Sequence, residues 1–117
     1  MEEDFISVGL LNFADYNYKT ALENFNKAVS INNDNSEALL YRGICNLKLG
    51  NYDSSINDFN KAQSLSKSSF DINYHRGIAY LYNSELNYAK TDFEEARKQA
   101  DDSRLKLVNK YLEKLSA

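Results

Sequence analysis

The sequence contains no proline and no tryptophan, one cysteine, one histidine and only four glycines. An all-β chain needs turn residues roughly every eight to twelve positions, and this one does not have them, so helices are favoured. The lone cysteine, Cys45, excludes an intramolecular disulfide and a multi-cysteine zinc site. No N-x-S/T acceptor for glycosylation is present either, and a reducing compartment fits best. Positive charge is also scarce. Lys and Arg number 14 against 17 Asp and Glu, a formal net charge of -3. Nucleic-acid binders draw their affinity from cations on phosphates, so that class is set aside. No apolar run approaches the roughly 18 residues that span a bilayer, and no membrane association is expected. The first residues, Met1-Glu2-Glu3-Asp4, are acidic where a targeting peptide is basic, which predicts a cytoplasmic protein.

What the sequence has is enough apolar side chain to fold, 43% against 26% charged, in 117 residues, a length that suits one domain. It also has a period. Gly9, Gly43 and Gly77 are spaced by 34 residues, as are Phe25, Phe59 and Phe93, and Ala28, Ala62 and Ala96. The small residues Ala21, Ser55 and Ala89 share the offset, as do the pairs Tyr18/Tyr52, Arg42/Arg76 and Ile44/Ile78. Between these anchors apolar residues recur at helical spacing, as in Leu39, Leu40, Ile44 and Leu47, then Tyr52, Ile56, Phe59 and Leu65. Breaks fall at Gly50-Asn51 and at Asn32-Asn33-Asp34-Asn35. The pattern predicts helices over 3–14, 18–31, 36–49, 52–65, 70–83 and 86–100.

A mid-helix glycine costs about 1 kcal/mol relative to alanine, so three of them require a packing reason. The expectation is that Gly9, Gly43 and Gly77 admit the second helix of each pair, with Ala21, Ser55 and Ala89 opposite, while the three phenylalanines fill the space towards the next pair. A helix pair alone cannot bury such a face, and stacking supplies the core. After Asp101-Asp102-Ser103, an N-cap signal, Leu105, Val108, Leu112 and Leu115 mark one apolar face of a capping helix, with Arg104, Lys106, Lys110 and Lys114 outward.

The 34-residue period, the glycine in the first helix and the pattern Tyr18-x-x-Ala21 then Phe25-x-x-Ala28 in the second resemble the tetratricopeptide repeat family. The family's helix-closing proline is replaced by Asn33, Lys67 and Asp101, its Trp-x-x-Leu opening is absent, and Leu86 stands for tyrosine in the third repeat. The resemblance implies an all-α fold, a right-handed α-solenoid of three antiparallel helix pairs plus a capping helix. The single domain spans 1–117, with repeats at 2–35, 36–69 and 70–103 and the cap at 104–117. It further implies that the first helix of each pair lines a concave groove holding a segment of another protein. The lining residues would be Ile6, Leu10 and Phe13, then Leu40, Tyr41, Ile44, Leu47 and Lys48, then Tyr74, His75, Ile78 and Tyr82. Aliphatic residues dominate, and tyrosines with an apolar body and a hydroxyl suit an interface.

One branch of the family clamps acidic EEVD tails with Lys, Asn and Arg. The matching positions here are Ile6, Leu10, Tyr41, Asp71 and His75, which implies that the clamp is missing. No enzyme is expected, since His75 and Cys45 have no recognisable partners at catalytic spacing, and adjacent acids such as Glu94/Glu95 resemble no metal loop, so no cofactor is expected. The functional expectation is a protein-binding adaptor. The alternative is a self-assembly module, a possible homodimer, in which Phe5, Val8 and neighbouring apolar residues of the first helix are covered by another chain.

Overall fold

Short polar side chains set where the helices start. Asn35 Oδ1 accepts from Ala38 N at 3.0 Å, Ser69 Oγ from Ile72 N at 3.3 Å and Asp101 Oδ1 from Arg104 N at 3.0 Å, each satisfying an otherwise unbonded first-turn N–H. The computed structural model describes residues 1–116, and its regular elements among those residues are all helices. They are α1 Glu2–Ala14, α2 Tyr18–Ile31, α3 Ser36–Lys48, α4 Tyr52–Leu65, α5 Phe70–Tyr82, α6 Leu86–Gln99 and α7 Asp102–Ser116. Each predicted helix is present, with ends displaced by a residue or two. The cap α7 begins at Asp102 because Asp101 acts as its N-cap, and Ala117, its expected last residue, lies outside the described residues. The fold is all-α and built from repeated helix pairs.

The chain forms two compact units. The first, Met1–Lys67, holds α1/α2 and α3/α4, with α2 packed on α3. The second begins at Ser68 and holds α5/α6, with α7 packed on α6. Phe25 and Phe59 are fully buried in the first, as Phe93 is in the second.

The glycines admit the second helix of each pair, and what enters is a phenylalanine ring. A Cβ on Gly43 would lie 2.8 Å from Cε1 of Phe59, and the same clash recurs between Gly9 and Phe25 at 2.7 Å and between Gly77 and Phe93 at 2.8 Å. Each phenylalanine ring therefore seats on the glycine of its own helix pair, and two of them also meet the element that follows, Phe25 stacking on Tyr41 of α3 and Phe93 on Tyr111 of α7. The small residue opposite plays a smaller part, clearest where Ser55 Oγ donates to Gly43 O at 2.8 Å.

The first helix of each pair also ends by one device. Gly50 has φ +82°, the left-handed conformation, and the same conformation recurs 34 residues to either side at Tyr16 (φ 61°) and Ser84 (φ 63°). The following N–H reaches back five residues each time: Asn17 N to Asn12 O, Asn51 N to Asn46 O and Glu85 N to Tyr80 O, at 2.8 to 2.9 Å. This satisfies a terminal carbonyl. A side chain in that conformation costs roughly 1–2 kcal/mol, partly offset because glycine loses more entropy on folding. Ser84→Gly is accordingly expected to stabilise the protein by up to about 1 kcal/mol, read as a raised urea midpoint.

Candidate functional site

In the first unit the groove candidates separate into core and surface. Ile6, Ile44 and Leu47 are 5%, 5% and 8% exposed and belong to the core, so they hold the helices together rather than offering a surface. Leu10, Phe13, Leu40 and Tyr41 are half-buried and Lys48 is exposed. Tyr41 is fixed from two sides: its ring lies edge-on to Phe13 at 5.4 Å and stacks on the buried Phe25 at 5.9 Å. Phe13 in turn meets Tyr18 at 5.5 Å. α1 and α3 thus share an aromatic joint, and Leu10 lies on the helix of Phe13, Leu40 and Lys48 on that of Tyr41.

In the second unit Tyr74 sits in an aromatic cluster. Its ring stacks on Phe70 at 5.1 Å and meets His75 at 5.2 Å, Tyr111 at 5.9 Å and Phe93 at 6.3 Å. Tyr111, from α7, also stacks on Phe93 at 4.9 Å. Burial, then the Tyr111 phenol it donates to, push the Tyr74 hydroxyl up to about 12. Ile78 packs against the same core, so the α7 cap covers part of the face read from the sequence as groove. His75 is half-buried, with Nδ1 2.7 Å from Asp71 O; a carbonyl only accepts, so Nδ1 carries the proton. Tyr82 is the most open candidate of this unit, 60% exposed.

The repeated ion pairs are a feature that sequence reasoning half missed. It noted Arg42 and Arg76 but not their partners. Arg42 donates from Nε and Nη2 to Asp58 at 3.0 and 2.7 Å, and Arg76 donates likewise to Asp92 at 2.8 Å twice. Both partners lie 16 residues on, a recurrence visible in the sequence. Burial raises the Asp92 carboxyl, opposed by the Arg76 hydrogen bonds. Burial also works against the Arg76 charge, but the Asp92 contacts outweigh it and hold the guanidinium above its ordinary value. The bidentate geometry favours the ionised pair. Beside Arg42 opens a polar recess of about 330 Å³ lined by Leu22, Asn26, Asn46, Ser54, Asn57 and Asp58. Asn26 and Asn46 are bonded into the same network, so the recess belongs to the ion pair.

Cys45 is fully buried, and burial pushes its thiol up to about 11. The thiolate is the reactive form, so disulfide reagents are expected to react at least about 100-fold more slowly with the folded chain than with the urea-unfolded one. The sign of the linkage follows. Cys45 and Tyr74 both favour their protonated forms in the fold. Their stabilisation is complete below the ordinary values of 9.0 and 10.0 and is lost as pH rises towards about 11 and about 12. For Cys45 the loss is on the order of 2 kcal/mol, and urea titrations at neutral and alkaline pH check it.

Among the described residues no three His, Cys, Asp or Glu side chains converge as metal ligands, and no helix is long and apolar enough to cross a membrane. The helix pairs, their glycine-phenylalanine seats and their shared ending define an all-helical repeat protein. The tetratricopeptide repeat model matches residues 37–69, so α3 and α4 with the turn between them match one such repeat.

Solved structures share the fold over nearly the whole chain. The Arabidopsis OM64 TPR domain is 21% identical with a TM-score of 0.85, covering 97% of this chain and 94% of that one. The Yersinia enterocolitica type III secretion chaperone SycD, in complex with a peptide of the translocator YopD, is 18% identical with a TM-score of 0.87, covering 97% and 91%. The second TPR domain of human RPAP3, in complex with the HSP70 peptide SGPTIEEVD, is 24% identical with a TM-score of 0.82, covering 99% and 92%. Comparison with curated protein sequences finds no match.

Proposed function

We propose that the chain is a non-enzymatic, cytoplasmic adaptor that holds a segment of another protein against α1 and α3 of its first unit. The observation that carries this reading is the pairing of a rigid support with an open edge. Phe13 and Tyr41 are locked by ring contacts, while on the same two helices Leu10 and Leu40 remain half-buried and Lys48 is exposed. Anchors that are ordered before binding lose little entropy when a partner arrives. The similar folds of SycD and of the RPAP3 domain, each in complex with a peptide, support the same class of activity.

The chemistry of the site favours an apolar segment and disfavours an acidic tail. Of the positions that match the carboxylate clamp, Ile6 is in the core, Leu10 and Tyr41 are half-buried and without a fixed charge, and Asp71 is itself an acid. A carboxylate desolvated there without a partner costs several kcal/mol. Titration with the peptide SRMEEVD is therefore expected to show no binding at about 100 µM, a range that would register even an interaction of about 5 kcal/mol. Tight binding would sink the exclusion.

To locate the site, partners are captured on the full chain and identified by mass spectrometry. The dominant partner segment is then titrated against Leu40→Glu with Lys48→Glu. A loss of about tenfold or more, with the helical circular dichroism retained, supports this surface; unchanged affinity overturns it. Tyr41 is not used for the test, because its two ring contacts would confound binding with folding.

A further inference from the structure

We infer that α1 of one copy docks on α7 of a second copy, so that the protein self-associates through two different surfaces. This goes beyond the groove and does not draw on it. The outer stripe of α1 runs through Asp4, Ser7, Val8, Leu11 and Asp15, at helical spacings of three and four, with Glu3 beside it; all are exposed. At its centre Val8 is 46% and Leu11 68% exposed. The outer stripe of α7 runs through Ser103, Lys106, Leu107, Lys110 and Lys114, also exposed, with Leu107 at 48%. Each stripe has an apolar centre. The first carries three acids and the second three lysines.

The remaining charges near these stripes do not reverse the match. Asp4 lies 4.0 Å from the Met1 ammonium, and both are almost fully exposed, so the contact leaves its field largely intact. On α1's other edge Lys27 sits over the Phe5 ring at 5.5 Å, turned towards that ring. On α7, Asp102 and Glu113 are exposed acids, and Arg104 is 3.9 Å from Asp101. The three lysines follow one side of the helix.

The charges select the occupant. Two α1 stripes would set acid against acid and two α7 stripes lysine against lysine, so like pairing is repelled while the mixed pairing is attracted. Every copy carries both surfaces, so each contact joins two different helices. One helix stripe on another covers less than the roughly 1,200 Å² of a stable interface, so the association is weak and sensitive to salt.

The test is sedimentation velocity on the full chain across a concentration series. The expected result at about 0.02 M salt is a weight that rises above that of the monomer at hundreds of micromolar, with apparent association at least about tenfold weaker at about 0.5 M. Leu11→Arg blocks the α1 surface, and Leu107→Gln with Lys110→Gln blocks the α7 surface. All these positions are exposed, and circular dichroism checks that each variant is folded. Each variant alone is expected to be monomeric, and an equimolar mixture to form a dimer and stop there, because one intact surface of each kind remains. A wild-type monomer at these concentrations overturns the inference. So do variants that still self-associate, or a mixture that stays monomeric.

Discussion

Phe59→Ala is expected to destabilise the first unit by about 3–5 kcal/mol, the range for deleting a buried aromatic ring. Small domains hold only about 5–15 kcal/mol in total, so one ring decides much of the folding equilibrium. Phe59 is fully buried and seats on Gly43, with its ring edge where a glycine Cβ would be. The reverse change tests the same joint from the other side. Gly43→Ala gains about 1 kcal/mol of helix propensity but forces a methyl to 2.8 Å from Cε1 of an enclosed ring. Overpacking of that kind costs about 1–3 kcal/mol, and the net is expected to be destabilising. Combining Gly43→Ala with Phe59→Leu should then cost less than the sum of the two changes, because the smaller side chain vacates the space the methyl needs. Urea denaturation of the four chains measures that coupling. Additive losses would mean that Gly43 and Phe59 pack independently.

The same joint shows why so much of the fold was legible. Gly43 and Phe59 are 16 positions apart, as are Gly9/Phe25 and Gly77/Phe93, and a feature repeated three times at one offset is a structural unit before any coordinate is seen. Where the glycine points was not legible, because spacing reports that two helices meet and not which side chain fills the gap. Helix ends were read from residue type, which found Gly50. It passed over Tyr16 and Ser84, whose left-handed backbone is imposed by the returning hydrogen bond rather than announced by glycine.

The candidate site was less legible for a related reason. A helix packed on two sides carries apolar residues around much of its circumference, so Ile6, Ile44 and Leu47 could not be separated by period from Leu10 and Leu40. Nor did the apolar stripe of α7 identify Tyr111 as the residue that would stand over Tyr74. That contact depends on how α7 packs against its unit, a tertiary fact with no local signature.

The repeated ion pairs yield the second large effect. Asp92→Ala is expected to cost about 3–5 kcal/mol, since it leaves the Arg76 guanidinium buried without its counter-charge. Arg76 is 10% exposed at its side chain, whereas Arg42 is 24% exposed. Water can therefore re-solvate Arg42 more readily when its partner is removed, and Asp58→Ala is expected to cost less than Asp92→Ala although the bonds are alike. The double change Arg76→Met with Asp92→Leu separates the attraction of the pair from the penalty for breaking it. Two apolar side chains of similar volume owe no desolvation, so the double variant should recover most of the loss and lie within about 1–2 kcal/mol of the parent chain. Asn73 Nδ2 would still donate to Ser68 and Gln99 at 2.6 and 3.0 Å, but its buried Oδ1 loses the bond it accepts from Arg76 at 3.3 Å, which accounts for a cost of about 1 kcal/mol remaining in the double variant. Chemical denaturation of the three variants gives the comparison. If the double variant is as unstable as Asp92→Ala, the pair itself is a net source of stability and not a buried charge kept from harm by its neighbour.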